Sequence, residues 1–209
     1  MTFSRFFILL AFLCALPFTN NAYAYFSTMD TGDILPSGQY KLGVEPQYVS
    51  DPSGLNLNSF FDAGVTESSN IRVVAGVGSV SFNTGLFYKW VPIPDYQNQP
   101  AVGLMVGGTW ARYKSENYPS VRFHPIVSKA FDTNIGLLTP FAALPFGITA
   151  GPSRNTYPMQ LAVGSDWKPD GLEKVHFMVE MGLNLNEAFS YVSVASVIYF
   201  DDENGFIFK

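Results

Sequence analysis

Val175-His176-Phe177-Met178-Val179-Glu180-Met181-Gly182-Leu183-Asn184 has an apolar residue at every second position. Val175, Phe177, Val179, Met181 and Leu183 are apolar and alternate with His176, Met178, Glu180, Gly182 and Asn184. Successive side chains of a strand point to opposite faces, so this stretch predicts a strand with one oily and one wetter face. The rhythm recurs from 39 to 49, where Tyr40, Leu42, Val44 and Tyr48 oppose Gln39, Lys41, Gly43, Glu45 and Gln47. It returns over 55–66, 71–77, 82–90, 101–110, 121–128, 157–166 and 189–200.

Asp51-Pro52-Ser53-Gly54, Glu67-Ser68-Ser69-Asn70, Asp132-Thr133-Asn134 and Lys168-Pro169-Asp170-Gly171 supply turns. The proline-rich 91–100 and the polar 114–117 and 151–155 read as loops. Residues 137–149 are apolar on both parities and hold Pro140 and Pro145, so the pattern assigns them a strand but not its faces. About ten strands result, with eight or twelve as alternatives. The predicted fold class is all-β: a closed antiparallel up-and-down transmembrane β-barrel. An even count returns both ends of the chain to one side. Strands of roughly 9–11 residues suit a tilted bilayer crossing, and closure removes exposed sheet edges.

The first residues read as a secretory leader. Arg5 is the only charge before Asp30, residues 6–18 are almost wholly apolar, and Ala22-Tyr23-Ala24 offers small residues at −3 and −1. Cleavage is expected after Ala24, giving a signal peptide at 1–24 and one barrel domain at 25–209. The apolar run of about 13 residues is short of the roughly 20 that a spanning helix needs. Leu13 precedes Cys14 where a lipoprotein signal wants a small residue. Cys14 is the only cysteine and departs with the leader, so the mature chain has no disulfide, thiol nucleophile or cysteine metal site.

Hydrophobic residues make up 47% of the chain, yet beyond the leader no apolar run approaches a membrane helix, so the oil is dispersed by alternation. Formal net charge is −5, and loss of Arg5 makes the mature form one unit more acidic. The 12 basic residues form no patch, which excludes nucleic acid as the expected partner. Tyr40, Tyr48, Tyr88, Trp90, Trp110, Tyr157, Trp167 and Tyr199 fall near strand ends, as an aromatic girdle at headgroup level requires.

With this leader, alternation and aromatic placement, the chain resembles the small outer-membrane β-barrel proteins of Gram-negative bacteria. The resemblance covers nearly all of the mature chain through pattern, not through a diagnostic motif. It implies residence in the outer membrane, contact with its lipid and passage through the barrel-assembly machinery. Such proteins commonly end in an aromatic residue; here Lys209 stands last, so either Phe208 or the Tyr199-Phe200 pair takes that role.

By parity, the charges facing the interior are Lys41, Glu45, Asp62, Arg72, Lys89, Arg122, Asp166 and Glu180, four of each sign. Equal numbers allow pairing and a filled polar core. Inward Gly43, Gly64, Gly76, Gly85, Gly103, Gly107, Gly164 and Gly182 either leave a narrow water passage or mark the bends of a small barrel. His124 and His176 share the inward parity, and a histidine is the usual general base. His176 and Glu180 are four residues apart on one strand, about 13 Å, too far for contact. No G-x-S-x-G motif is present. Asp30-Thr31-Gly32-Asp33 has too few ligands for a calcium loop and reads as a polar lead-in or turn.

These residues predict a non-catalytic outer-membrane barrel, a structural component or a minor passive channel for small solutes. No cofactor, metal or catalytic residue is assigned, and no oligomeric state follows. The alternatives are a barrel enzyme acting on lipid or peptide, and a soluble periplasmic β-sandwich or lipocalin-like binder. Short loops argue against adhesion.

Overall fold

The computed structural model describes residues 27–50, 53–79, 81–172, 174–203 and 205. The leader, the Asp51-Pro52 half of the first turn and the closing residues 206–209 lie outside the described residues. The strands are β1 Gln39–Ser50, β2 Ser53–Thr66, β3 Ser69–Gly78, β4 Phe82–Ile93, β5 Ala101–Tyr113, β6 Glu116–Ser128, β7 Phe131–Thr133, β8 Gly136–Ala143, β9 Phe146–Ala150, β10 Asn155–Thr156, β11 Met159–Pro169, β12 Val175–Asn186 and β13 Tyr191–Asp201.

Each long strand pairs antiparallel with the next, and β13 pairs back onto β1 from Gln39↔Asp201 to Val49↔Tyr191, which closes the wall. β8 and β9 act as one stave broken at Leu144-Pro145: β8 meets β6 at Ile126↔Ala143 and β9 meets it at Ser120↔Thr149. Both halves also reach β11. The short β7 and β10 only lengthen ribbons at the rims. The molecule is thus a closed antiparallel barrel of ten staves. Gln39 and Asp201 share one rim, here the terminal rim; the β1–β2, β3–β4, β5–β6 and β12–β13 connections lie at the opposite, distal rim.

Three local readings are corrected. The loop expected over 91–100 shrinks to 94–100, because a register shift between Trp90 and Ile93 lets β4 run past Pro92. A bulge is where a strand tolerates proline. The polar loop at 114–117 is a two-residue turn, Lys114-Ser115, both at positive φ, and the strands pair up to Tyr113↔Glu116. Two left-handed residues match the twist of a tight hairpin. Residues 137–149, whose faces the pattern left open, alternate through the break: Thr139, Phe141, Ala143, Gly147 and Thr149 are buried, while Pro140, Phe146 and Ile148 are exposed.

The two faces of the wall differ as its alternation requires. Leu86, Val121, Val179 and Val194 are exposed on the outside, Leu86 by 59%. Inside, Phe60, Phe87, Phe141, Met105 and Met178 form a buried apolar belt. The inward glycines do not leave a passage. Gly43, Gly107, Gly164 and Gly182 sit directly opposite Phe60, Phe87, Phe141 and Tyr191 on the adjacent strand. A Cβ at Gly43 or Gly182 would fall 2.1 Å from the facing ring. Each missing side chain is the space into which a neighbour's ring lies, a cross-strand pairing that fills a small barrel.

Candidate functional site: a segment seated in the barrel

Residues 27–38 carry no strand period, and they do not lie outside the wall. They run through the lumen: Ser27, Thr28, Met29, Asp30 and Thr31 are all buried. Met29 packs into the apolar belt with Phe60, Phe87 and Met105. Asp30, 2% exposed, is the charged anchor. Its Oδ1 lies 2.9 Å from Lys41 Nζ and 3.4 Å from Arg72 Nη2, and its Oδ2 lies 2.9 Å from Lys89 Nζ. Asp62 completes the cluster, 2.9 Å from Lys41 and 2.6 Å from Arg72 Nε. Three wall cations here face one wall carboxylate, and the second carboxylate comes from the inserted segment.

The same cations also bind the segment's backbone. Arg72 donates to Thr28 O at 2.6 Å and Met29 O at 3.2 Å; Lys89 donates to Asp33 O at 2.7 Å. From the opposite side, Glu180 accepts Thr28 N at 2.9 Å and Met29 N at 2.5 Å, and is itself held by the Tyr191 hydroxyl. Glu45 accepts the Ser27 hydroxyl at 2.7 Å, Ser128 accepts Gly32 N at 2.8 Å, and Asn70 accepts Leu35 N at 3.3 Å. Two glycines let the chain pass. A Cβ on Gly32 would lie 2.5 Å from that of Ala101, and one on Gly64 would lie 2.1 Å from Pro36 O. Buried backbone groups need partners, and the wall supplies them. The segment is a plug.

The eight charges expected on the inner face are all buried, and they divide into four groups. Lys41, Asp62, Arg72 and Lys89 build the ion cluster. Glu45 and Glu180 cradle the plug through neutral donors. Arg122 donates to Thr149 Oγ1 at 3.2 Å, and Thr149 also bonds Ser120 at 2.8 Å. Asp166 lies 3.1 Å from His176 Nδ1. Pairing among the wall residues alone is therefore not how the charges are balanced. The missing carboxylate is Asp30, in the stretch read as a lead-in or turn; bound by three cations, it is no part of a calcium loop.

The histidines are separate. His124 is buried, with Nδ1 3.4 Å from Thr28 Oγ1 and its ring 5.4 Å from that of Phe87. His176 takes its carboxylate from Asp166 across the β11–β12 pair, not from Glu180, and its ring lies tilted against that of Tyr199 with centroids 4.2 Å apart. Among the described residues, no serine hydroxyl is hydrogen-bonded to His176. Of the aromatic set, Tyr48, Tyr88, Trp90, Trp110 and Tyr157 are exposed. Tyr40 stacks with Phe61 and Phe200, and Trp167 lies beside Phe177 while donating to Ile135 O at 2.9 Å. Tyr199 departs from the girdle. It shares parity with Val197 and packs against the lumenal core, while Phe200 takes the outer position.

No family model matches the chain, and no curated protein is similar to it in sequence. Among solved structures, similarity is found to a de novo designed transmembrane β-barrel, with TM-score 0.42 and 13% identity over 80% of this chain and all of the other. An outer membrane channel from Pseudomonas putida F1 gives TM-score 0.48 and 10% identity over 82% and 99% of the two chains. The β domain of the Bordetella autotransporter BrkA gives 0.43 and 12% over 78% and 98%.

Proposed function

We propose that the chain is an integral outer-membrane barrel, exported by its leader, whose lumen is closed at rest by its own N-terminal segment. It serves as a minor passive channel for small solutes only when that segment leaves. The observation that carries this reading is Asp30, inside the barrel and bonded to Lys41, Arg72 and Lys89. A wall with three cations facing one carboxylate is complete only with the plug in place. The apolar outer face and the exposed tyrosines and tryptophans support residence in lipid, because such side chains would otherwise meet water.

Planar-bilayer recording tests this. The purified full chain is expected to give no discrete current steps, whereas Asp30→Lys, which sets a fourth cation among three, opens steps of small unitary conductance. Retained heat-modifiable migration in the gel shows that the barrel of the variant is folded. Steps of equal size and frequency in both proteins overturn the reading.

A further inference from the structure

The lumenal wall holds the plug largely by groups that every peptide carries. Arg72 donates to the carbonyls of Thr28 and Met29, and Lys89 to those of Thr31 at 3.3 Å and Asp33 at 2.7 Å. Glu180 accepts the amides of Thr28 and Met29, and Ser128 accepts that of Gly32. Among the buried plug residues Asp30 alone is charged, and it sits where Lys41, Arg72 and Lys89 converge. Buried amides, carbonyls and carboxylates need partners, so these wall groups define a seat for an acidic peptide.

The seat outlasts its occupant. Arg72 keeps Asp62 through Nε at 2.6 Å and Nη2 at 2.7 Å, and Lys41 keeps Asp62 at 2.9 Å. Lys89 keeps nothing: among the described residues, its ion pair and hydrogen bonds all go to the plug. Across the lumen Glu180 keeps the Tyr191 hydroxyl and loses both plug amides. A bare cation calls for an anion, and a bare acceptor calls for an N–H donor. A simple anion would leave Glu180 without donors, and a neutral peptide would leave Lys89 unpaired.

We infer that the solutes this channel admits are short acidic peptides, and that Asp30 with its flanking backbone is a built-in copy of them. The inference rests on the plugged-channel reading and adds the solute class to it. Lys41, Arg72 and Lys89 take the carboxylate, while Glu180 and Arg72 take a neighbouring amide and carbonyl. Solute and plug cannot hold this seat together, so entry and opening are coupled by competition. A tethered ligand acts at an effective concentration on the order of millimolar, and solute must match it to open the barrel.

The test follows a Thr31→Cys reporter in the full chain folded in micelles, using a charged thiol reagent and peptide mapping of the labelled site. Without solute the thiol is expected to resist, since residue 31 is 3% exposed. N-acetyl-aspartate amide at about 20 mM, which joins one carboxylate to peptide groups, is expected to speed labelling about threefold or more. N-acetyl-asparagine amide lacks the carboxylate and propionate lacks the amides; at matched ionic strength neither is expected to do so. A match by either control, or no response to the aspartate derivative, overturns the inference, while a thiol protected before solute is added leaves the plug standing. A thiol already open at that point removes the plug as well. Planar bilayers give a second readout without the cysteine. Asp30→Ala pores are expected to favour chloride over potassium about threefold, and adding Lys89→Gln is expected to bring that ratio close to one. A ratio at or below one in Asp30→Ala overturns the solute class with the channel intact. Equal current steps in the parent chain and Asp30→Ala sink the plugged channel and the inference with it.

Discussion

The two halves of the lumen hold their polar groups in different ways. Toward the terminal rim the wall places formal charges, and these are closed by a segment of the same chain: Lys41, Arg72 and Lys89 around Asp30 and Asp62. Toward the distal rim the wall is lined mainly by amides and hydroxyls. Asn56 donates to Gln47 at 3.1 Å and Asn83 to Asn58 at 3.4 Å, while Gln47 Nε2, Asn58 Nδ2 and Asn83 Oδ1 have no hydrogen-bond partner among the described residues. A buried charge without a counter-charge is far costlier than an amide with one free atom. The charged half is specified by what enters it; the neutral half tolerates being left incomplete.

The largest effect expected is at Asp30. Asp30→Ala leaves three buried cations facing Asp62 alone, and removing one partner of such a cluster costs about 3–5 kcal/mol. Urea unfolding in micelles, followed by tryptophan fluorescence, is expected to show that loss together with an early transition as the plug leaves. A change under about 1 kcal/mol, the scale of an exposed pair, would mean that the two halves do not differ.

The wall itself gives the next test. Val179→Arg, on the outer face, is expected to cost about 2–4 kcal/mol in a bilayer if the site is near midplane. Gly182→Ala, on the inner face three positions along, drives a Cβ to 2.1 Å from the Tyr191 ring. Overpacking of this kind costs about 1–3 kcal/mol. Because Tyr191 donates to Glu180, which holds the plug backbone, Gly182→Ala is also expected to raise the reactivity of a cysteine introduced in place of Thr31. Val179→Arg is not. Equal release of the plug by both would show that wall stability alone, and not the inner contacts, governs seating.

The wall was legible because a period of two is local: each strand of 175–184 type states its faces within ten residues. The plug was not, because 27–38 has no period and its partners are distant. Asp30 meets residues 11, 42 and 59 positions away. One signal did exist. In β1–β4 the inward parity carries Lys41, Arg72 and Lys89 against Asp62 and the deeper Glu45, so the terminal half lacked a carboxylate, and Asp30 belongs to the acidic stretch that precedes β1. The Asp166–His176 pair was missed for a related reason: spacing along one strand says nothing of a diagonal neighbour on the next.

In the distal half, Asn83→Ala removes one long hydrogen bond and an already unpaired oxygen, so its expected cost is about 1 kcal/mol or less. The same unfolding assay reads it. A loss comparable with Asp30→Ala would show that the amides form a network as demanding as the ion cluster.

The rims carry the contrast to its smallest scale. At the terminal rim Asp95 bonds Lys129 and accepts Ala130 N at 2.7 Å, and Lys129 also donates to Gln97 O at 2.5 Å, which ties the 94–100 loop to the end of β6. At the distal rim Arg154 pairs with Glu187 at 2.8 Å, but its side chain is 59% exposed. Arg154→Ala is expected to change stability by no more than about 1 kcal/mol. Burial alone would raise the Asp95 carboxyl, but the Ala130 amide and Lys129 outweigh it and hold it below the ordinary range. A depressed carboxyl stabilises the fold above its unfolded value of about 3.9 and loses that contribution as pH falls through the folded value. Protection of the Ala130 amide from hydrogen exchange should therefore be flat from pH 7 to about 5 and fall only below the ordinary carboxylate range. Asp95→Asn should lower it at pH 7, and the difference from the parent should narrow with acid. If protection instead falls between pH 7 and 5, the loop is held by something other than this carboxylate, and the terminal rim is no better fastened than the distal one.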